Sequence, residues 1–185
     1  MNQFELNLLD SFTSAVNHPL LDYVAPLVSM LGDSGGIWIV IAIVFLLIRQ
    51  YRKAGATLFV ALFINFVAVN VTIKPFVNRI RPFVLNPEAS LLIATPGDGS
   101  FPSGHTSASF AAAYVIYRVN KKLGIAAYAL ASAIAISRLY LYVHYPFDIL
   151  GGIIFGTLAA ISAVWLVDKI QEWRNATRPS KHIGS

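Results

Sequence analysis

Lys74, Arg81 and Arg138 are three fixed cations in a chain that otherwise reads as membrane interior. Arginine forks bind phosphate oxygens in bidentate fashion, and a lysine adds a point charge. Pro102-Ser103-Gly104 precedes an Ala/Ser-rich helical run. Ser103 suits an N-cap, and Gly104 lets a ligand approach the backbone. The free N–H groups of that helix start, with its dipole, form an anion site. The constellation asks for a phosphate or a similar oxyanion, and two histidines are placed to react with it. His144 and Asp148 stand four residues apart. If the turn around Pro146 permits, the carboxylate holds one imidazole nitrogen and leaves the other free as a nucleophile. His105, just inside the anion-binding helix, can protonate a leaving oxygen and later activate water. Nucleophile, orienting carboxylate, acid/base and charge clamp are all available without a metal or other cofactor.

The elements that must position these residues are apolar. The chain of 185 residues is 56% hydrophobic and 12% charged. Soluble domains carry about a quarter charged residues, so half that fraction points to an integral membrane protein. The net charge of +5 comes with no dense basic patch interleaved with aromatics, so nucleic acid is not an expected partner. With no cysteine, disulfides, thiolate catalysis and thiolate metal sites are excluded. Residues 1–17 lack a basic leader and carry Glu5 and Asp10, so the first span is expected to act as its own targeting signal.

Phe4, Leu8, Phe12 and Val16 recur at four-residue spacing and predict an amphipathic helix over residues 2–17, lying in the interface or packed on the bundle. Six apolar segments follow, at about 19–31, 35–49, 54–73, 103–117, 123–142 and 147–167. Several fall short of the roughly 20 residues a span needs, so tilt or extension at polar ends is required. The expected fold is all-α and polytopic: one domain over residues 1–185, six transmembrane helices and an N-terminal interfacial helix. No sequence feature specifies an oligomer. Arg49, Arg52, Lys53, Arg118, Lys121, Lys122, Lys169, Arg174, Arg178 and Lys181 fall on one side of this arrangement, which the positive-inside rule assigns to the cytoplasm. Six spans place both termini there too. Lys74, Arg79, Arg81 and Arg138 fall on the opposite side, against the topological bias.

Three clusters share that outer side: "KPFVNRIRP" from Lys74, "FPSGHTSAS" from Phe101 and "SRLYLYVHYPFD" from Ser137. Together they resemble the type 2 phosphatidic acid phosphatase family, relatives of the vanadium haloperoxidases. That family's signature is K-x6-RP, then PSGH, then SR-x5-H-x3-D. Lys74, Arg81-Pro82, Pro102 to His105, Ser137-Arg138, His144 and Asp148 fit every spacing within residues 74–148. PSGH alone would be a weak match; the joint spacing is what carries the resemblance.

The resemblance implies a metal-independent phosphatase of lipid phosphates or diphosphates. His144 would form a phosphohistidine, supported by Asp148, with His105 as acid and base. Lys74, Arg81, Arg138, Ser103 and the Gly104 N–H would hold the phosphoryl oxygens. An outward site with lateral entry of the lipid from the bilayer fits recycling of undecaprenyl diphosphate for cell-wall synthesis. Phosphatidic acid and phosphatidylglycerol phosphate are competing substrates, and a lipid transporter or flippase is the alternative from another class.

Singly, each residue has a plainer explanation: a snorkelling Arg138, a core His144, or Lys74 and Arg81 anchoring a loop to headgroups. Arg79, outside the signature, is expected to contact surface or headgroups. Tyr140, Tyr142 and Tyr145 fit an interfacial aromatic belt. Asp98, Thr106 and Ser107 lie near the site in sequence. Asp22 is unusual within an apolar segment, His18 and His182 suit solvent or interface, and Gly151, Gly152 and Gly156 suit close helix packing.

Overall fold

A computed structural model describes residues 3–86, 89 and 91–177. His182, Arg178 and Lys181 lie outside the described residues. Among the described residues the chain is helical with no strand: α1 (Gln3–Val16), α2 (Pro19–Leu31), α3 (Gly36–Leu47), α4 (Arg52–Asn65), α5 (Lys74–Val77), α6 (Pro82–Leu85), α7 (Gly104–Val119), α8 (Lys121–Tyr140) and α9 (Pro146–Ala176). A π-helical stretch, Phe66–Ile73, joins α4 to α5 without a break.

Short caps turn one helix into the next. Asn120 is the whole link between α7 and α8, and its Oδ1 accepts the N–H groups of Lys122 and Leu123 at 3.0 and 3.1 Å. The helices then pack through small residues. Ala111, Ala112 and Ala113 of α7, Ala127 and Ala131 of α8, and Ala160 and Ala163 of α9 are buried in one core with Trp38, Leu58 and Ile134. Trp38 Nε1 donates to Ser109 Oγ at 2.9 Å and ties α3 to α7. The α9 glycines do what their spacing predicted. A Cβ at Gly156 would stand 2.1 Å from the Ser107 carbonyl oxygen, and one at Gly152 would stand 2.8 Å from that of Ser103. Only glycine lets α9 press against the start of α7.

Helix length and composition do not confirm all six expected spans. Among the described residues, Arg49–Leu85, Lys121–Tyr140 and Pro146–Ala176 are long and apolar enough to cross a bilayer. The helices of the first two predicted segments, observed as Pro19–Leu31 and Asp33–Leu47, meet at a 44° bend and make a fourth when taken as one passage. The 16 residues of α7 fall short of a full span by themselves. Its continuity with α8 nonetheless carries the chain from the site end of the bundle to the far end and back.

Merging the first two segments also moves the N-terminus. Glu5 of α1 binds Arg79 and the Phe147 N–H at the start of α9, so α1 sits at the site end. The 31 residues of α9 rise about 46 Å to the opposite end. There Asp168 pairs with Lys53 at 2.6 Å. The described termini therefore lie at opposite ends of the bundle, whereas six spans placed both on one side. α1 itself spans almost the predicted residues. It turns Phe4 and Leu8 outward, as an interface helix would, and buries Leu9 and, unexpectedly, Glu5.

Substituting Gly156→Val tests the α7–α9 contact. The variant should lose about 1–3 kcal/mol of stability in a detergent melt through overpacking, whereas Leu158→Ala on the exposed face of α9 should lose little.

Candidate active site

The site forms where four helix ends meet. The rod of α4, the π-helical stretch and α5 delivers Lys74. Asn78 then adopts a left-handed conformation, φ 40°, which ends α5 and turns the chain toward Arg81. Asparagine tolerates that conformation better than most residues. The start of α7 supplies Gly104 and His105, the last turn of α8 supplies Arg138, and the loop into α9 supplies His144. These six residues line one cavity of about 940 Å³, which extends past Asn65 and Asn70 to an apolar wall that includes Phe59, Leu62, Phe63 and Phe66. Asn65 Oδ1 is buried without a hydrogen-bond partner among the described residues. A side chain at Gly104 would meet Asn70 Oδ1 at 3.0 Å, so this turn keeps the space beside Lys74 open.

Each cation is buried and aimed. Arg81 donates through Nη1 to the Val143 carbonyl at 2.7 Å and through Nη2 to Asp98 Oδ1 at 2.6 Å. Lys74 pairs with the other Asp98 oxygen. Burial would raise the Asp98 carboxyl, but Lys74 and Arg81 outweigh it and hold the group down at about 2. Arg138 is held by Ser29 Oγ, while its Nε has no partner among the described residues.

His144 is 1% exposed. Its Nε2 faces Arg81 Nη1 at 3.4 Å, and its Nδ1 stands 3.5 Å from Asp148 Oδ2. Arginine only donates, so the favoured tautomer carries its proton on Nδ1 toward Asp148 and leaves the Nε2 lone pair facing the cations. Burial, then Arg81, Arg138 and Lys74, push the imidazolium well below the usual histidine range. The ring is therefore neutral at physiological pH.

The other half of the site differs from its sequence reading in several places. Ser103 caps α7 as expected, but its Oγ is fully buried, accepts the Thr106 hydroxyl at 3.0 Å and does not line the cavity. Asp148 lies behind His144, outside the cavity wall. Arg79, mostly covered, turns inward instead of to a surface partner: it pairs with Glu5 and, at 2.6 Å, with Asp148. Tyr142 and Tyr145 are buried, contrary to an aromatic belt. Asp22 is accounted for by Tyr140, whose hydroxyl donates to it at 2.5 Å. Ser107 bonds back to the Gly104 carbonyl within its own helix.

Sequence reasoning missed Asp33. Its Oδ1 lies 2.7 Å from His105 Nε2. Ser34 and Gly35 follow it at φ 52° and 70°, the tight bend that presents this carboxylate to α7. The only signal in the sequence was the "GDSGG" break between apolar segments.

The PAP2 superfamily model matches residues 50–172, more than half of the chain, and the chain belongs to that superfamily. The bacitracin transport permease protein BcrC of Bacillus licheniformis is 38% identical over 90 residues, which cover 49% of this chain and 44% of that protein. An undecaprenyl-diphosphatase of Sulfolobus acidocaldarius is 30% identical over 129 residues, 69% of this chain and 62% of that protein. The chain thus spans less than two thirds of either relative. In three dimensions, Aquifex aeolicus LpxE superposes with a TM-score of 0.76 at 29% identity, over 86% of this chain and 93% of that one.

Three buried cations around an open space should bind a free oxyanion. Calorimetry with inorganic phosphate should detect binding, and Arg138→Ala should weaken it by about tenfold or more, the loss of one charged hydrogen bond.

Proposed function

We propose that the protein is an integral membrane lipid phosphatase that acts through a phosphohistidine on His144, with undecaprenyl diphosphate as its substrate. The observation that carries this reading is the orientation of His144: neutral, Nε2 toward Arg81, Nδ1 toward Asp148. A neutral imidazole whose lone pair faces a cationic pocket is a nucleophile for phosphorus. The Sulfolobus relative named for undecaprenyl diphosphate supports the substrate, as does the run of aromatic and aliphatic residues beside the charged pocket.

In the first step His144 Nε2 attacks the terminal phosphorus and the bond to the bridging oxygen breaks. Burial and then Arg138 hold His105 at about 4, so it takes up its proton together with the anionic substrate and gives it to the departing lipid phosphate. In the second, water attacks the phosphorus of the phosphohistidine, His105 takes a proton from that water, and inorganic phosphate leaves with His144 restored. Lys74, Arg81, Arg138 and the Gly104 N–H stabilise the equatorial oxygens throughout; such preorganised donors are worth roughly 3 kcal/mol each. Ser103 contributes by shaping the helix start. The bulk of the lipid stays in the bilayer, with the end of the chain nearest the phosphate against Phe59, Leu62, Phe63 and Phe66.

The described basic residues at the far end, among them Arg52, Lys53, Arg118, Lys121 and Lys122, favour a cytoplasmic far end and an extracytoplasmic site. A cysteine replacing Ala94, beside the cavity, should then react with an impermeant reagent on intact cells; protection reverses the orientation.

Purified protein should release phosphate from undecaprenyl diphosphate in EDTA, faster than from phosphatidic acid or phosphatidylglycerol phosphate, and His144→Ala should be inactive. Turnover that requires a metal, or an active His144→Ala, refutes the mechanism; preference for a glycerolipid phosphate refutes the substrate. Because His144 is already neutral, the acid limb of kcat/KM that reports its protonation should fall below pH 6.5. A limb above that value contradicts the assignment.

A further inference from the structure

Arg79 stands in sequence between two cations of the cavity, Lys74 and Arg81, yet does not line the cavity itself. The left-handed Asn78 precedes it, and its carbonyl accepts the Ser100 N–H at 2.8 Å. This sends the side chain beneath the loop that carries His144. There Nη1 donates to Asp148 Oδ1 at 2.6 Å and Nη2 pairs with Glu5 Oε2. The guanidinium carbon lies 4.1 Å from the centroid of the Tyr145 ring. The second Glu5 oxygen accepts the Phe147 N–H at 3.2 Å, and Asp148 Oδ2 accepts the Tyr145 N–H at 2.8 Å. Both oxygens of Asp148 are therefore fixed, with Oδ2 left facing His144 Nδ1.

Glu5 is 2% exposed and Asp148 is fully buried. Two buried carboxylates without a cation would be costly. One guanidinium between them leaves the cluster with a single net negative charge, directly behind the imidazole. The ring gains positive charge as Nε2 bonds to phosphorus, and a fixed negative charge behind it stabilises that change. Arg79 with Asp148 alone would be a neutral pair and would leave the ring without that counter-charge.

We propose that Arg79 and Glu5 are positioning residues for His144, acting through Asp148. Arg79 locks the carboxylate that orients the ring. Glu5 offsets the charge of Arg79, so that Asp148 keeps its effect on the ring. The N-terminal helix is thereby part of the catalytic unit as well as a membrane-surface element. This inference rests on the assignment of His144 as nucleophile.

The experiment compares Arg79→Met, Arg79→Lys and Glu5→Gln with the unaltered protein and with His144→Ala. Turnover of undecaprenyl diphosphate in detergent micelles is measured per folded enzyme, with folded protein counted by size exclusion and thermal melting. Arg79→Met should lower kcat on the order of 100-fold, and Glu5→Gln about tenfold, because a misplaced nucleophile costs that much. KM and inorganic phosphate affinity should stay within about twofold, because neither residue reaches the cavity. Arg79→Lys keeps the charge and loses the fork, so its kcat should fall between Arg79→Met and the unaltered protein. Where Arg79→Met does not fold, Arg79→Lys and Glu5→Gln carry the test. The proposal is overturned if both keep full kcat per folded molecule, which would leave α1 merely pinned to the bundle. It is also overturned if KM rises at constant kcat, which would make Arg79 a phosphate ligand. An active His144→Ala refutes the nucleophile itself, whatever the Arg79 series shows.

Discussion

The physical constraint on which this structure depends is the burial of positive charge. Lys74, Arg81 and Arg138 are each almost wholly removed from solvent and face one cavity. Ions taken out of water are costly unless opposite charge or hydrogen bonds replace the lost hydration. Here the replacement is partial. Asp98 bridges Lys74 and Arg81, Ser29 holds one nitrogen of Arg138, and another nitrogen of that guanidinium has no partner among the described residues. A site with this imbalance is completed by an anion of high charge density. Burial, and then the same cations, keep His144 unprotonated, so under the proposed function one arrangement would both bind the phosphoryl group and prepare the group that attacks it.

The bundle exists to hold that arrangement rigid. Each contributing residue lies at or next to a helix end, and the ends are brought together by alanine and glycine contacts among α7, α8 and α9. Gly152 and Gly156 let α9 approach the first turns of α7, the segment that carries Gly104 and His105. Asp148 is joined to the same place through its carbonyl, which accepts the Ser103 N–H at 3.0 Å. Backbone contact between the two helices thus fixes His105 relative to the loop of His144, on elements stiffer than a loop alone. The apolar wall of Phe59, Leu62, Phe63 and Phe66 lies on the same rod as Lys74, so under the proposed function a lipid aligned along it would present its headgroup to the cations.

Much of the site was legible in the sequence because its chemistry requires particular residue types at fixed spacing. Lys74, Arg81, Gly104, His105, Arg138 and His144 do line one cavity, and Asp148 does stand behind His144. What the sequence concealed are partnerships made over long distances in the chain. Asp33 meets His105 across 72 residues, and Glu5 meets Arg79 across 74. No periodicity or local propensity encodes such pairs; they arise only when helix ends are assembled. The count of six spans is not confirmed for a related reason. Hydropathy finds apolar segments, but a bend at Gly32 to Gly35 decides whether two of them cross the bilayer twice or form one passage. The reading of Arg79 as a surface contact failed because its neighbours Lys74 and Arg81 suggested nothing about the turn at Asn78 that separates their directions.

The central claim is that His144 carries the phosphoryl group. The most direct test is rapid quenching of the enzyme during turnover of terminally labelled undecaprenyl diphosphate, followed by peptide mapping. The account predicts label on the peptide containing His144, lost in acid and stable in alkali, as a phosphoramidate should be. Label on a serine, on an aspartate or on His105 would contradict it.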